Sequence, residues 1–343
     1  MFRIGSGYPP FIVAELSGNH SHDIETAKRS ILGAKLAGVS AVKLQTYTPE
    51  TMTLDINRSE YLVQEGLWAG KKLYDLYKEA HTPIDWHAEL FQFALENEII
   101  LFSTPFDGSA VDTLEELECP MYKIASFELQ DTQLIKYVAR TGKLMIISTG
   151  MGSYQDIARA LEAAQSGGSP RQVLLHCISS YPTPLNACNL KQIAKLRQDF
   201  GVDVGLSDHT VGLTAACGAV ALGAVMVEKH FKENDQSVGP DSSFSISIAN
   251  LRNLVNETYS MWEALGREGY ERPSIESSSK VFRRSLVFSR DISAGTIIQS
   301  GDILRKRPGF GLPPHLVNEI IGKTLNQDVA LGQALDWKLF SDR

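Results

Sequence analysis

Eight short apolar or β-branched runs recur along the first 230 residues, and each ends in polar side chains. They are FIVAE (11–15), AVKLQTY (41–47), IILFSTP (99–105), MYKIAS (121–126), LMIISTG (144–150), QVLLHCI (172–178), VDVGLSD (202–208) and VMVEKHF (225–231). Continuous apolar runs of this length are what parallel strands buried on both faces look like. Segments of helical period separate most of them, such as DIETAKRSILGAKLAG and SYQDIARALEAAQSGG, the latter closing on a glycine pair suited to a helix C-cap. Eight strands alternating with helices within about 250 residues predict an α/β fold, the (β/α)8 TIM barrel. A doubly wound open sheet is the alternative. It would usually carry a glycine-rich phosphate turn after its first strand, and AELSGNH is not GxGxxG.

The position of the polar residues sharpens this reading. Glu15, Lys43, Gln45, Thr104, Lys123, Ser126, Ser148, Thr149, His176, Ser207, His209 and His230 lie within or at the C-terminal ends of the predicted strands. In a barrel those ends converge on one mouth, where active sites are built. The second strand is followed by a long stretch, 50–97, containing SEYLVQEGLWAGKKLYDLYKEAHTPIDWH. Its aromatic and Leu spacing suggests a surface helix, with HTPIDW as a turn into the next. Loops this long tend to be lids or recognition elements.

Composition limits the partners. The 343 residues suffice for one large domain and a small one, and 43% apolar with 21% charged is ordinary for a globular chain. A net charge of −7, with Lys and Arg scattered, gives no reason to expect nucleic acid. No run approaches the roughly 18 apolar residues of a membrane span, and MFRIGSGYPP has no apolar core of a secretory signal. Cys119, Cys177, Cys188 and Cys217 show no CxxC spacing, so a reducing cytoplasm fits best. The barrel is expected over 1–265. The polar, Ser-rich GREGYERPSIESSSK (266–280) reads as a linker, and 281–343 as a small β-rich module whose core is marginal alone.

His209 and His230 close the seventh and eighth runs, neighbours in a barrel. Either one alone reads as a hydrogen-bonded core residue; together their imidazoles suit a divalent ion with open positions. Asp208 and Glu228 are expected to point away from the histidines, into an outer salt bridge. Lys43 and Lys123 sit where an unpaired ammonium would be costly, so each needs an anion: a protein carboxylate, or a bound phosphate and carboxylate helped by Ser126, Ser148 and Thr149. A Schiff-base lysine is a third possibility, and the histidine pair argues against it. Glu15 and Glu128 are candidates for proton transfer or water activation.

The pieces IVAELSGNH, VKLQTY, FSTPF, YKIAS, ISTGM, SSYPTP, GLSDHT, VEKHF and GPD, in order, resemble the sialic acid synthase family, and the tail RRSLVFSRDISAGT…LRKRPGFGLPP resembles its antifreeze-like (SAF) domain. The resemblance implies condensation of phosphoenolpyruvate with an amino-sugar. GLWAGKKLYDLYKEAHTPIDWH looks like the branch making pseudaminic acid, whose acceptor is 2,4-diacetamido-2,4,6-trideoxy-L-altrose; legionaminate or N-acetylneuraminate synthesis is the runner-up. It further implies His209 and His230 as ligands of Mn²⁺, with Mg²⁺ or Co²⁺ as alternatives. Lys43, Lys123, Ser126, Ser148 and Thr104 would surround phosphoenolpyruvate. Gln45, Tyr181, Ser207, Asp241 and Glu15 would surround the acceptor, with Glu128 handling the attacking water. In relatives the small domain crosses to the partner of a homodimer and contributes an arginine; Arg307 matches, and Phe282 less well.

Overall fold

The computed structural model describes residues 3–341. Eight strands form one parallel sheet in sequence order: β1 (Phe11–Glu15), β2 (Ala41–Thr46), β3 (Ile100–Pro105), β4 (Met121–Ile124), β5 (Leu144–Ser148), β6 (Gln172–Cys177), β7 (Asp203–Asp208) and β8 (Met226–Lys232). β1 also pairs with β8, so the sheet closes into a barrel and the open-sheet alternative falls. The strands match the eight apolar runs with ends shifted by at most three residues. They are almost wholly buried, as strands covered by helices on one face and packed inside on the other must be.

Helices wrap the barrel where the 3.6-residue period predicts them. Helix Ile24–Ala37 starts at Asp23, whose carboxylate accepts from the amides of Glu25 and Thr26. Helix Tyr154–Gly167 opens on a Ser153/Asp156 capping box and ends at Gly168, the expected C-cap. Helix Ile248–Leu265 packs its Leu251 and Leu254 against the first helix and closes this unit at Gly266. Among the described residues no helix is long and apolar enough to cross a membrane.

Between β2 and β3 lies the long insertion. It holds a short helix, Pro49–Met52, an irregular stretch, and then helices Leu73–Ala80 and His87–Glu96. The surface helix expected from its spacing is confined to Leu73–Ala80. Before it, the backbone folds on itself, with Val63 N–H donating to the Lys71 carbonyl at 2.9 Å and Gly70 N–H to the Val63 carbonyl at 2.8 Å.

A second unit begins at Arg267. A 3₁₀ helix, Ser274–Phe282, leads into two antiparallel strands, Ser285–Phe288 and Ile303–Lys306. Isolated bridges and turns make up the rest, around a core of Leu286, Phe288, Ile298, Ile320, Leu325 and Leu335.

Close packing of β7 against its neighbours depends on Gly205. A Cβ there would lie 2.5 Å from the Met226 carbonyl oxygen and 2.7 Å from a Leu175 methyl. Overpacking of this kind costs about 1–3 kcal/mol. Gly205→Ala is therefore expected to lower the melting temperature by several degrees in a thermal unfolding experiment, and an unchanged value would contradict the packing described.

Candidate active site

Register sets the floor of the mouth. Glu15 of β1 stands beside Lys43 of β2 on one side and His230 of β8 on the other, and Ser207 of β7 stands beside Glu228. Residues two apart on a strand share a face. Glu228 and His230 therefore both point inward, and Lys229 between them points out. There its ammonium meets the Asp208 carboxylate at 2.8 Å, with both side chains fully buried.

This corrects half of the expected outer salt bridge. Asp208 forms one, with Lys229. Glu228 does not: it lies at the centre of the floor, 3.9 Å from Lys43 Nζ and 4.0 Å from Lys123 Nζ. Alternation turns a residue away from its immediate neighbour, and His230 is the second residue along.

The floor opens into a cavity of about 370 Å³. Glu15, Lys43, Gln45, Thr104, Lys123, Ser126, Glu128, Ser148, Tyr181, Ser207, His209, His230 and Asp241 all line it. Lys43 Nζ is 2.7 Å from a Glu15 carboxylate oxygen and donates to Thr104 Oγ1 at 2.9 Å. Gln45 Nε2 donates to Glu15 at 2.8 Å and to Ser17 Oγ at 3.0 Å. Ser17 in turn donates to Asp241 from a positive φ of 48°, the kind of strained backbone that clusters at functional sites.

Two residues expected at the rim are elsewhere. The His176 ring meets the Cys188 carbonyl at 2.7 Å, and Thr149 Oγ1 donates to the Leu175 carbonyl at 3.0 Å. Each is one residue out of phase with an inward-facing neighbour, Cys177 and Ser148 respectively. Arg307 and Phe282 belong to the second unit.

Several polar atoms on this floor are buried without a hydrogen-bond partner: Ser148 Oγ, Ser179 Oγ, Glu128 Oε2, Glu228 Oε2 and His230 Nδ1. Native interiors leave few such atoms, so a group of them marks a place prepared for a ligand. Gly150 belongs to this cradle. Its N–H donates to Ser126 Oγ at 3.1 Å, and a Cβ would collide with the Ser126 and Ser179 hydroxyls.

Burial dominates the electrostatics. It pushes the Glu15 carboxyl above the ordinary carboxylate range, against the pull of Lys43. Burial would raise Glu228 too, but Lys123 and Lys43 outweigh it and hold that carboxylate low. Lys123 is lowered by burial. Glu128 has its oxygen aimed at no donor, and burial raises it from 4.5 to about 7. Two ammonium groups face two carboxylates, so the floor alone has little surplus charge for a polyanion.

The histidines supply a place for more. Their ring centroids are 5.4 Å apart. His209 Nδ1 donates to the Ile178 carbonyl at 3.1 Å, which puts a proton on that nitrogen and leaves Nε2 as the one an ion would use; against burial, Cys177 and that carbonyl raise the ring above the ordinary imidazole range. Burial, with His209 and the lysines nearby, keeps His230 neutral. Asp241 stands 3.7 Å from its Nδ1. Among the described residues no three or more His, Cys, Asp or Glu form a ready-made metal cage. A divalent ion fits as a two-imidazole site completed by water or substrate.

The remaining lining was not legible in sequence. Met52, Val63, Trp68, Leu73, Leu76 and Tyr77 of the insertion roof the cavity, with Phe106, Phe127 and Phe244 beside them. Trp68 Nε1 donates to the Pro240 carbonyl at 2.9 Å. The Tyr181 ring packs tilted against His209, with centroids 4.4 Å apart, and against Trp68 at 5.6 Å, joining floor to roof. The advance signals were the length of the insertion, its aromatic and Leu spacing, and the resemblance of GLWAGKKLYDLYKEAHTPIDWH to one branch of the family.

Glu128 yields a measurable consequence. Its folded carboxyl keeps a proton to about pH 7, against an ordinary 4.5. The folded state therefore binds more protons between those values, and stability falls as pH rises through about 7. Glu128→Gln removes this dependence. The melting temperature of the variant relative to the native protein is expected to rise from pH 5 to pH 8; a difference independent of pH would contradict the assignment.

Comparison with known proteins agrees with the fold. Residues 30–270 match the model of the NeuB family, and 283–341 that of the SAF domain. The chain is 38% identical over 325 residues to a pseudaminic acid synthase of Campylobacter jejuni, with 95% of each chain covered. It is 41% identical over 316 residues to the pseudaminic acid synthase of Helicobacter pylori, covering 92% of this chain and 93% of that protein. Among solved structures, an N-acetylneuraminic acid synthetase from Leptospira borgpetersenii superposes with a TM-score of 0.72 at 31% identity, covering 80% of this chain and 92% of that one. With its closed parallel barrel and its SAF domain, the chain belongs to the NeuB family.

Proposed function

We propose that the chain is a transferase that condenses phosphoenolpyruvate with 2,4-diacetamido-2,4,6-trideoxy-L-altrose and water, releasing pseudaminic acid and phosphate. The observation that carries the chemistry is the buried floor: Lys43 and Lys123 converge near the unpartnered hydroxyl of Ser148 and below paired imidazoles. The choice of acceptor is supported by the two pseudaminic acid synthases, similar over nearly the full length.

In this reading Lys43, Lys123, Ser126, Ser148 and Thr104 hold the phosphate and carboxylate of phosphoenolpyruvate through charge-assisted hydrogen bonds. His209 and His230 would hold a divalent ion, Mn²⁺ first, with Mg²⁺ or Co²⁺ as alternatives. When bound, the ion supplies Lewis-acid polarisation of the acceptor aldehyde and the positive charge that the floor lacks. Gln45, Tyr181, Ser207 and Asp241 orient the open-chain sugar so that the enol carbon meets its aldehyde carbon. The new C–C bond leaves positive character at C2 of the former phosphoenolpyruvate, where water adds. Glu128, titrating near neutrality, is placed to take the proton of that water. Glu15, whose burial holds its proton above the ordinary carboxylate range, gives that proton to the aldehyde oxygen as the C–C bond forms and the oxygen becomes a hydroxyl. The resulting intermediate loses phosphate by C–O cleavage. We further propose a cytoplasmic homodimer in which the SAF domain crosses to the partner subunit and brings Arg307 to the acceptor.

Phosphate release with phosphoenolpyruvate and each of three acceptors tests the reading. The trideoxy-altrose is expected to give the highest kcat/KM, by tenfold or more over N-acetylmannosamine and the legionaminate precursor; preference for either of those would reassign the branch. His230→Ala is expected to lose turnover by about a hundredfold together with Mn²⁺ affinity. Full activity of that variant in the presence of a chelator would rule out the two-imidazole site. Arg307→Ala should raise the acceptor KM and leave that of phosphoenolpyruvate nearly unchanged; equal effects on both would exclude the crossed dimer.

A further inference from the structure

The cavity is chemically divided. Its floor carries the charges, and its roof is apolar. From the insertion, Met52, Val63, Leu73 and Leu76 face it with the rings of Trp68 and Tyr77. These side chains bring two polar groups, the Trp68 indole N–H and the Tyr77 hydroxyl, and the first is already committed to the Pro240 carbonyl.

The roof is also held in place. Helix Leu73–Ala80 would leave its last carbonyls open, and the His22 ring meets those of Lys78 and Glu79 at 3.1 and 2.9 Å. His81 packs edge-on against His22, with ring centroids 5.3 Å apart. Gly18 lies so close to Ala80 that a Cβ on it would stand 3.0 Å from the Ala80 backbone. These contacts hold the C-terminal end of the helix and the Trp68–Pro240 hydrogen bond holds the segment before it, so the roof is anchored against turning aside to admit water to a buried hydroxyl.

Orientation follows from the floor. The reacting aldehyde must lie among the lysines and imidazoles, so the far end of an acceptor is driven up against the roof. We propose that this roof is the specificity element of the site. It selects amino-sugars whose end remote from the aldehyde is deoxygenated, and it disfavours those bearing a free hydroxyl there. A methyl group gains apolar contact with Val63 and Leu73, whereas a hydroxyl in the same place loses water and finds few partners. This rests on the condensation reaction proposed above and adds to it where discrimination resides.

The test uses two acceptors that differ at one atom, 2,4-diacetamido-2,4,6-trideoxy-L-altrose and its 6-hydroxy analogue, with phosphate release as the readout. The native protein is expected to prefer the deoxy sugar by about 10–100-fold in kcat/KM, the range over which an apolar pocket rejects an added hydroxyl. Val63→Thr, isosteric and half-buried, and Leu73→Asn each place a hydrogen-bonding group in the roof. Each is expected to lower that ratio several-fold while the KM for phosphoenolpyruvate stays within twofold. Equal use of the two sugars by the native protein, or a ratio that both substitutions leave unchanged, overturns the inference alone. No phosphate release with any amino-sugar overturns the proposed reaction and the inference with it.

Discussion

Four ionisable groups packed inside a barrel are the constraint on which the rest depends. Glu15, Lys43, Lys123 and Glu228 lie almost wholly out of water, where separated charges would each cost several kcal/mol. They survive there because closure of β8 onto β1 brings them within ion-pair distance of one another. A buried cluster of this kind is weak support for stability, since apolar packing would serve as well or better. Its value is chemical. It presents fixed donors and a proton-holding carboxyl on a floor that lies almost wholly out of water, where each electrostatic contact counts for more than in solution.

The barrel supplies the rigidity that such a cluster needs. Adjacent strands fix Glu15 between Lys43 and His230, and the buried Asp208–Lys229 pair ties the outer face of β7 to that of β8 just below the histidines. The insertion after β2 does the opposite job. It contributes almost no charge to the cavity and closes it with hydrocarbon. In the proposed reaction floor and roof divide the labour: one set of residues provides the chemistry of the condensation, the other meets the part of the acceptor that does not react.

Much of this was legible in the sequence because strand burial leaves a plain trace. Each apolar run became a strand, and the polar residues closing the runs became the mouth. What failed was phase. Glu228 shares parity with His230 and points inward against expectation, and His176 and Thr149 share parity with outward-facing positions and leave the rim. A period of two decides each case once one inward residue per strand is known, and sequence alone does not say which that is. The roof was illegible for another reason. Residues 53–72 have no regular period, so their apolar side chains could be anchored only by tertiary contacts such as Trp68 with Pro240. The second unit reads as a small β-rich module in both sequence and structure.

The most direct measurement is a crystal structure of the protein with Mn²⁺ and phosphoenolpyruvate, using anomalous scattering to locate the metal. The account predicts a manganese peak bound by both His209 and His230, with the phosphate and carboxylate contacting Lys43 and Lys123. Manganese held elsewhere, or the enol ester bound away from those lysines, would contradict it.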